Sequence, residues 1–194
     1  MKRTSTMRVE LIDYRDNWQA VKDAAMNTVG KDSGKYPTSE WKRKILLAEH
    51  SPIRLLEFTI RFTDIPYYVA MHLVRHHMGV QHFVKSQRED RSETHTKRHD
   101  LPQDALIDYR MVANAQALIN ISRKRLCNQA SPETRKAWQA AIDCLKEYEP
   151  ELASVCVREC VYRGFCPEMR SCGYQESDQF GKLWVRYVIN PKER

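Results

Sequence analysis

Residues 98–125 read RHDLPQDALIDYRMVANAQALINISRKR, and the reading of this stretch decides the fold. It begins and ends on arginine and holds Leu101-Pro102, Asn114 and Asn120 between them. The apolar residues recur closely enough to predict a helix from Pro102 to about Arg123. Asparagine is a poor helix former, because its amide competes for nearby backbone groups. Two of them in one helix imply amides with partners, and a ligand is one candidate. Arginine grips a phosphate or a carbonyl edge at two points at once. A helix bringing both kinds of group to one pocket suits a nucleotide.

Outward from this stretch, strands and helices alternate. MRVELIDY (residues 7–14) alternates in polarity and predicts an opening strand, and residues 17–29 predict a helix. Thr38-Ser39-Glu40 caps a second helix that runs to about residue 49. LLEFTIRF (residues 55–62) predicts another strand. Pro66 then occupies a first-turn position, with Asp64 as its cap, and a helix follows to about His76. Residues 80–87 predict a short strand, and the polar run 86–99 (SQREDRSETHTKRH) a loop. On the C-terminal side, Ser131-Pro132-Glu133 starts a helix reaching Tyr148, and a short helix from Pro150 leads into a cysteine-bearing tail. Strands followed by longer helices imply a single α+β domain over 1–194, with the cysteines in its C-terminal segment, 156–194.

Composition agrees with this class and narrows the partner. The 194 residues are 42% hydrophobic and 29% charged, ordinary values for a chain with its own core. No apolar run approaches the ~20 residues that cross a bilayer, and the N-terminus has no apolar stretch behind its basic residues. These features predict a protein of the reducing cytoplasm, with no membrane partner. A net charge of +7 predicts an anionic partner such as a nucleotide, nucleic acid or phosphate-bearing cofactor, although a solvated basic surface gives the same sum. The chain lacks the spaced basic and aromatic stripe of single-strand binders, so nucleic acid is not favoured.

Two further constellations carry chemistry. Arg75-His76-His77 closes a predicted helix and is followed by Ser86 and Arg88. A guanidinium fork, a hydroxyl and backbone N–H groups together suit a phosphate, while cations also favour helix C-termini for purely structural reasons. The tail reads Cys156-x3-Cys160-x5-Cys166-x5-Cys172, with Gly164, Pro167 and Gly173 placing turns around the last two. Cys127, Cys160, Cys166 and Cys172 are the best set for a zinc ion or an iron–sulfur cluster, and inert thiols are the alternative. Cys144 and Cys156 fit a helix core. His72 and His76 are four residues apart but lack the acidic residue of a metalloprotease pattern.

The stretch HSPIRLLEFTIRFTDIPYYVAMHLVRHHMGVQHFVKSQR (residues 50–88) resembles the centre of the flavin-dependent thymidylate synthases, ThyX. That family carries a histidine–proline region, a strand, a helix, then Arg-His-Arg, seven residues and Ser. The later stretch is similar without a gap: Arg98, Leu101-Pro102, Asn114-Ala115, Leu118, Asn120 and Arg125 fall at family spacing. The resemblance covers residues 45–150. The chain departs from the pattern at His77, where the family has Arg, and in the eight residues between His77 and Ser86. Phe83-Val84-Lys85 stands where the family has an Asn-Glu pair before the serine, and Glu89 where it has Tyr.

The resemblance implies an antiparallel sheet flanked by long helices, assembled as a homotetramer with active sites shared between subunits. It implies FAD as cofactor, and dUMP, methylenetetrahydrofolate and NADPH as substrates, for transfer of a one-carbon unit to pyrimidine C5. It places Arg75, His76, His77 and Asn120 at the flavin. Ser86, Arg88, Arg98 and Arg125 fall to dUMP, with Arg125 as the catalytic residue that stabilises charge on the ring. Such a site needs orientation and charge stabilisation, not a protein nucleophile. The departures admit an alternative: a catalytically altered ThyX-like protein that binds or modifies another pyrimidine nucleotide or nucleic acid.

Overall fold

The computed structural model describes residues 6–91 and 95–188. The chain runs β1 (Arg8–Tyr14), α1 (Trp18–Asn27), α2 (Ser39–Leu47), β2 (Glu57–Pro66), α3 (Tyr67–Val74) and β3 (Val80–Val84). It continues through β4 (Leu106–Asn114), α4 (Ala115–Arg125), α5 (Pro132–Tyr148), α6 (Pro150–Val155), α7 (Glu159–Arg163) and α8 (Asp178–Val188). The strands form one antiparallel sheet in the order β1-β2-β4-β3.

Side-chain parity decides which face of the sheet the helices cover. Phe58, Ile60 and Phe62 of β2 and Ile107, Tyr109, Met111 and Ala113 of β4 are buried, alternating with more exposed neighbours. Burying each large apolar side chain is worth about 1.5–3 kcal/mol, so α3, α4 and α5 settle on this face. Trp138 of α5 and Leu118 of α4 enter the same core. There the Trp138 indole donates to Ser122 Oγ at 2.9 Å, and Ser122 donates to the Leu118 carbonyl at 2.7 Å, so the buried hydroxyl costs nothing unpaired. Buried Glu149 accepts from the Trp18 indole at 2.8 Å and from the Tyr14 hydroxyl, tying β1 and α1 to the end of α5. The opposite face of the sheet carries Thr59, Arg61, Phe83, Arg110 and Val112, which floor an open cleft of about 710 Å³.

Residues 98–125 do not form the helix expected from Pro102. Leu106–Asn114 is strand β4, and only Ala115–Arg125 is α-helical. The strand wins because Ile107, Tyr109, Met111 and Ala113 alternate with Asp108, Arg110 and Val112, and because β4 bonds to strands on both sides. Asn114 is the junction, extended at φ −81° and ψ 165°. Its Oδ1 accepts from the Ala117 N–H at 2.9 Å, so its side chain caps α4. Thr38 and Ser131 cap α2 and α5 as expected. Asp64 does not cap α3; it lies in an irregularity of β2 at φ 55°, and Pro66 itself occupies the cap position. No helix among the described residues is long and apolar enough to cross a membrane.

Candidate active site

The C-terminal ends of α3 and α4 meet at Arg125. Its Nη2 donates to the His72 carbonyl at 2.7 Å, in the last turn of α3, where carbonyls lack helical partners. The cation also faces the negative end of the α3 macrodipole. Its Nε donates to His76 Nε2 at 2.8 Å. To accept that bond, Nε2 must be unprotonated, so the ring proton sits on Nδ1. Burial, then the charge of Arg125, with His82, Arg75 and His77 behind it, pulls the pKa of His76 down to about 4. The imidazole is therefore neutral at physiological pH. Burial and the charge of Arg75 also hold Arg125 below the usual arginine range.

Two more histidines brace this centre. His82 on β3 places Nε2 2.9 Å from the His76 carbonyl and Nδ1 2.6 Å from the Tyr109 hydroxyl. A carbonyl only accepts, so Nε2 donates and Nδ1 takes the phenol proton. His72 Nδ1 lies 2.9 Å from Thr134 Oγ1, which accepts from Ser131 Oγ at 2.8 Å. Burial, Arg125 and Arg75 keep the pKa of His72 below its ordinary value. Sequence reasoning missed His82, Tyr109 and Thr134 as site residues, and weighed His72 only as a metal ligand beside His76. Only the in-phase placing of His82 with Val80 and Val84 pointed inward, and the pairing with Tyr109 needs the β3–β4 register.

The remaining expected residues divide by location. Arg75 is exposed beside Arg125 and has no acidic partner among the described residues. His77 is exposed, with Nδ1 3.3 Å from its own helix-end carbonyl at Arg75. Beyond β3, Ser86 Oγ accepts from the Arg88 N–H at 3.3 Å, and Arg88 forks onto Asp90 with two contacts of 2.9 Å. An exposed pair of this kind is worth at most about 1 kcal/mol, so an incoming phosphate can replace Asp90. Arg98 is exposed in a 3-10 turn farther along the same polar loop. Asn120 lies five residues before Arg125, about 140° around the helix. Its Oδ1 accepts from Gln116 at 3.4 Å and Arg123 at 3.3 Å, on a face that also holds Glu49. Within one chain, Arg75, His76 and Arg125 converge, while Asn120 and the loop residues do not join them through any described contact.

All six cysteines are free. Cys127, Cys160, Cys166 and Cys172 line one small cavity beside Pro167 and Tyr174. Among the described residues no three His, Cys, Asp or Glu side chains are grouped to hold an ion, so the metal centre expected on these four finds no support. Burial raises the thiol pKa of Cys127 and Cys160. Cys156, fully enclosed, is pushed up to about 12 and is a core atom.

What the converged groups can do follows from their donors. A guanidinium has five N–H groups; two are committed to His76 and His72, which leaves three for a ligand. A half-buried fork beside a second cation suits a phosphate, or a ring carbonyl gaining negative charge.

Solved structures of other proteins share this fold. Thymidylate synthase X (ThyX) from Helicobacter pylori, crystallised with FAD and dUMP, is 18% identical, with a TM-score of 0.61 over 78% of this chain and 99% of that one. The UMP/dUMP methylase PolB from Streptomyces cacaoi, bound with 5-Br dUMP, is 15% identical, with a TM-score of 0.62 over 83% of this chain and 96% of that one. No protein-family profile matches the chain, and no curated protein does. The chain is thus an α+β protein with the ThyX fold, carrying an arginine–histidine centre where two helices end.

Proposed function

We propose that the protein is a ThyX-like, flavin-dependent enzyme that transfers a one-carbon unit from methylenetetrahydrofolate to C5 of dUMP, with NADPH as reductant. The observation that carries this reading is Arg125, held at two points with three N–H groups to spare, in a fold shared with dUMP-binding enzymes. Bound FAD supplies the hydride and the route for the carbon unit. The donor set fits such a cofactor: Arg75 and His77 stand exposed at the end of α3 and can meet the anionic diphosphate. Ser86, Arg88 and Arg98 hold the nucleotide phosphate, with Arg88 leaving Asp90 for it. Arg125 takes a pyrimidine carbonyl and stabilises the charge that grows on the ring. His76 turns toward Arg125, and Asn120 lies on another face of α4, so these groups reach one flavin only if several subunits of a homotetramer share each site. Six free cysteines fit a reducing compartment such as the cytoplasm.

The test is the visible spectrum and turnover of the purified protein, with Arg125→Ala beside it. A yellow or FAD-binding protein that methylates dUMP is expected, with turnover lowered about 100- to 1000-fold in the variant. A protein that neither carries nor takes up FAD sinks the reading. His77 favours a second one. It stands where the family has Arg and bends back to its own helix end, so the natural substrate is then another pyrimidine nucleotide, or the chain binds nucleic acid without catalysis. Competition between UMP and dUMP addresses the first form, and steep salt dependence of nucleic-acid binding the second.

A further inference from the structure

We infer that His76 is the positioning residue for Arg125 and is itself locked by His82 and Tyr109; this rests on Arg125 meeting the nucleotide, as proposed above. Groups from four parts of the chain form one hydrogen-bonded series, which passes once through a backbone carbonyl. Tyr109 on β4 donates its hydroxyl proton to His82 Nδ1 across 2.6 Å. His82 on β3 donates from Nε2 to the His76 carbonyl across 2.9 Å. His76, just past α3, accepts the Arg125 Nε–H at 2.8 Å. Both the peptide and the ring of His76 are thereby fixed.

The consequence falls on the guanidinium. It is planar, so bonds at Nε and Nη2 together set its plane and aim its remaining N–H groups. The His72 carbonyl alone leaves the group free to swing about a single contact. With His76 in place, the arginine gives up its rotamer freedom during folding, before any ligand arrives, so binding does not bear that entropy cost. Tyr109 is 1% exposed within the core, so it acts on the site only through His82. The turn of residues 77–79 makes the series possible by bringing His82 back over His76, six positions earlier.

The test uses the full-length protein with His76→Leu, His76→Gln and Tyr109→Phe. A glutamine carbonyl oxygen reaches about where Nε2 stands and accepts the same bond; leucine does not. One readout is the Arg125 Nε–H resonance and its exchange rate by 15N NMR, and the other is dUMP affinity. The wild type and His76→Gln are expected to show a slowly exchanging Nε–H, and His76→Leu to lose it. Affinity should fall about tenfold in His76→Leu and less than about threefold in His76→Gln. Tyr109→Phe should speed Nε–H exchange without abolishing the signal. A protected Nε–H in His76→Leu, or equal losses in the two His76 variants, overturns the assignment. If no form binds dUMP yet the resonance still vanishes in His76→Leu, the positioning stands and the nucleotide reading fails. Should His76→Leu not fold, His76→Asn, whose carbonyl is one methylene short, takes its place with the same expectation.

Discussion

His76 sits among cations, and its charge state links the site to stability. Its pKa falls from the ordinary 6.5 to about 4, first through burial and then through Arg125, His82, Arg75 and His77. Between these two values the unfolded chain binds a proton that the native chain refuses. Stability therefore rises with pH across that window, and it is lost as pH falls from about 6.5 toward 4. The ring is only partly buried, so the expected loss is about 1–2 kcal/mol. Urea denaturation at pH 7 and pH 5 should show a steeper fall for the wild type than for His76→Gln, which has no titrating ring; parallel curves would contradict it. Residue types were legible from the chain here. Arg75, His76 and Arg125 could be picked out as phosphate or carbonyl partners, but not that His76 would turn to Arg125. That contact spans 49 positions and exists only because two helices end side by side.

The junction of β3, β4 and α4 turns on a close approach between Gly79 and Asn114. The Asn114 N–H donates to the Gly79 carbonyl at 3.0 Å while its side chain caps α4. Gly79 has φ +73°, and a Cβ there would lie 2.6 Å from Asn114 Nδ2. Asn114→Ala should cost about 1 kcal/mol through the lost cap. Gly79→Ala should cost about 1–3 kcal/mol, from left-handed backbone strain and from displacing that cap. The two should not add, because removing the amide also removes the clash, so Gly79→Ala costs less in the Asn114→Ala background. Chemical denaturation of the four forms checks this, and strictly additive losses would contradict it. The same junction shows why one element was misread. The alternation Ile107, Tyr109, Met111, Ala113 was visible, yet it runs directly into the helical spacing of Ala117, Leu118 and Ile121, and only Asn114 marks the change of period. Elements with caps or prolines at their start, such as α2 and α5, were legible.

At the scale of the molecule, the sheet is covered on one face only among the described residues. The other presents exposed Ile12 and Phe83 around Arg61 and Arg110, which stand directly opposite each other in the β2–β4 register. Like charges so placed repel, and isolated apolar side chains on an open face gain from burial. A second copy of the chain meeting this face would bury the apolar residues and bring its own acids, such as Asp13 and Asp108 at the rim of the cleft, to the arginines. No described contact joins Asn120, Ser86, Arg88 or Arg98 to Arg125 within one chain, and the proposed site needs neighbours to complete it. Static light scattering is expected to give at least twice the chain mass from this face alone, and four times for the proposed homotetramer. Phe83→Asp should shift the protein to smaller species and weaken dUMP turnover together, although Phe83 stands outside the proposed nucleotide groups. A wild-type monomer with full turnover, or a dissociated Phe83→Asp that still turns over normally, would show that each chain builds its site alone.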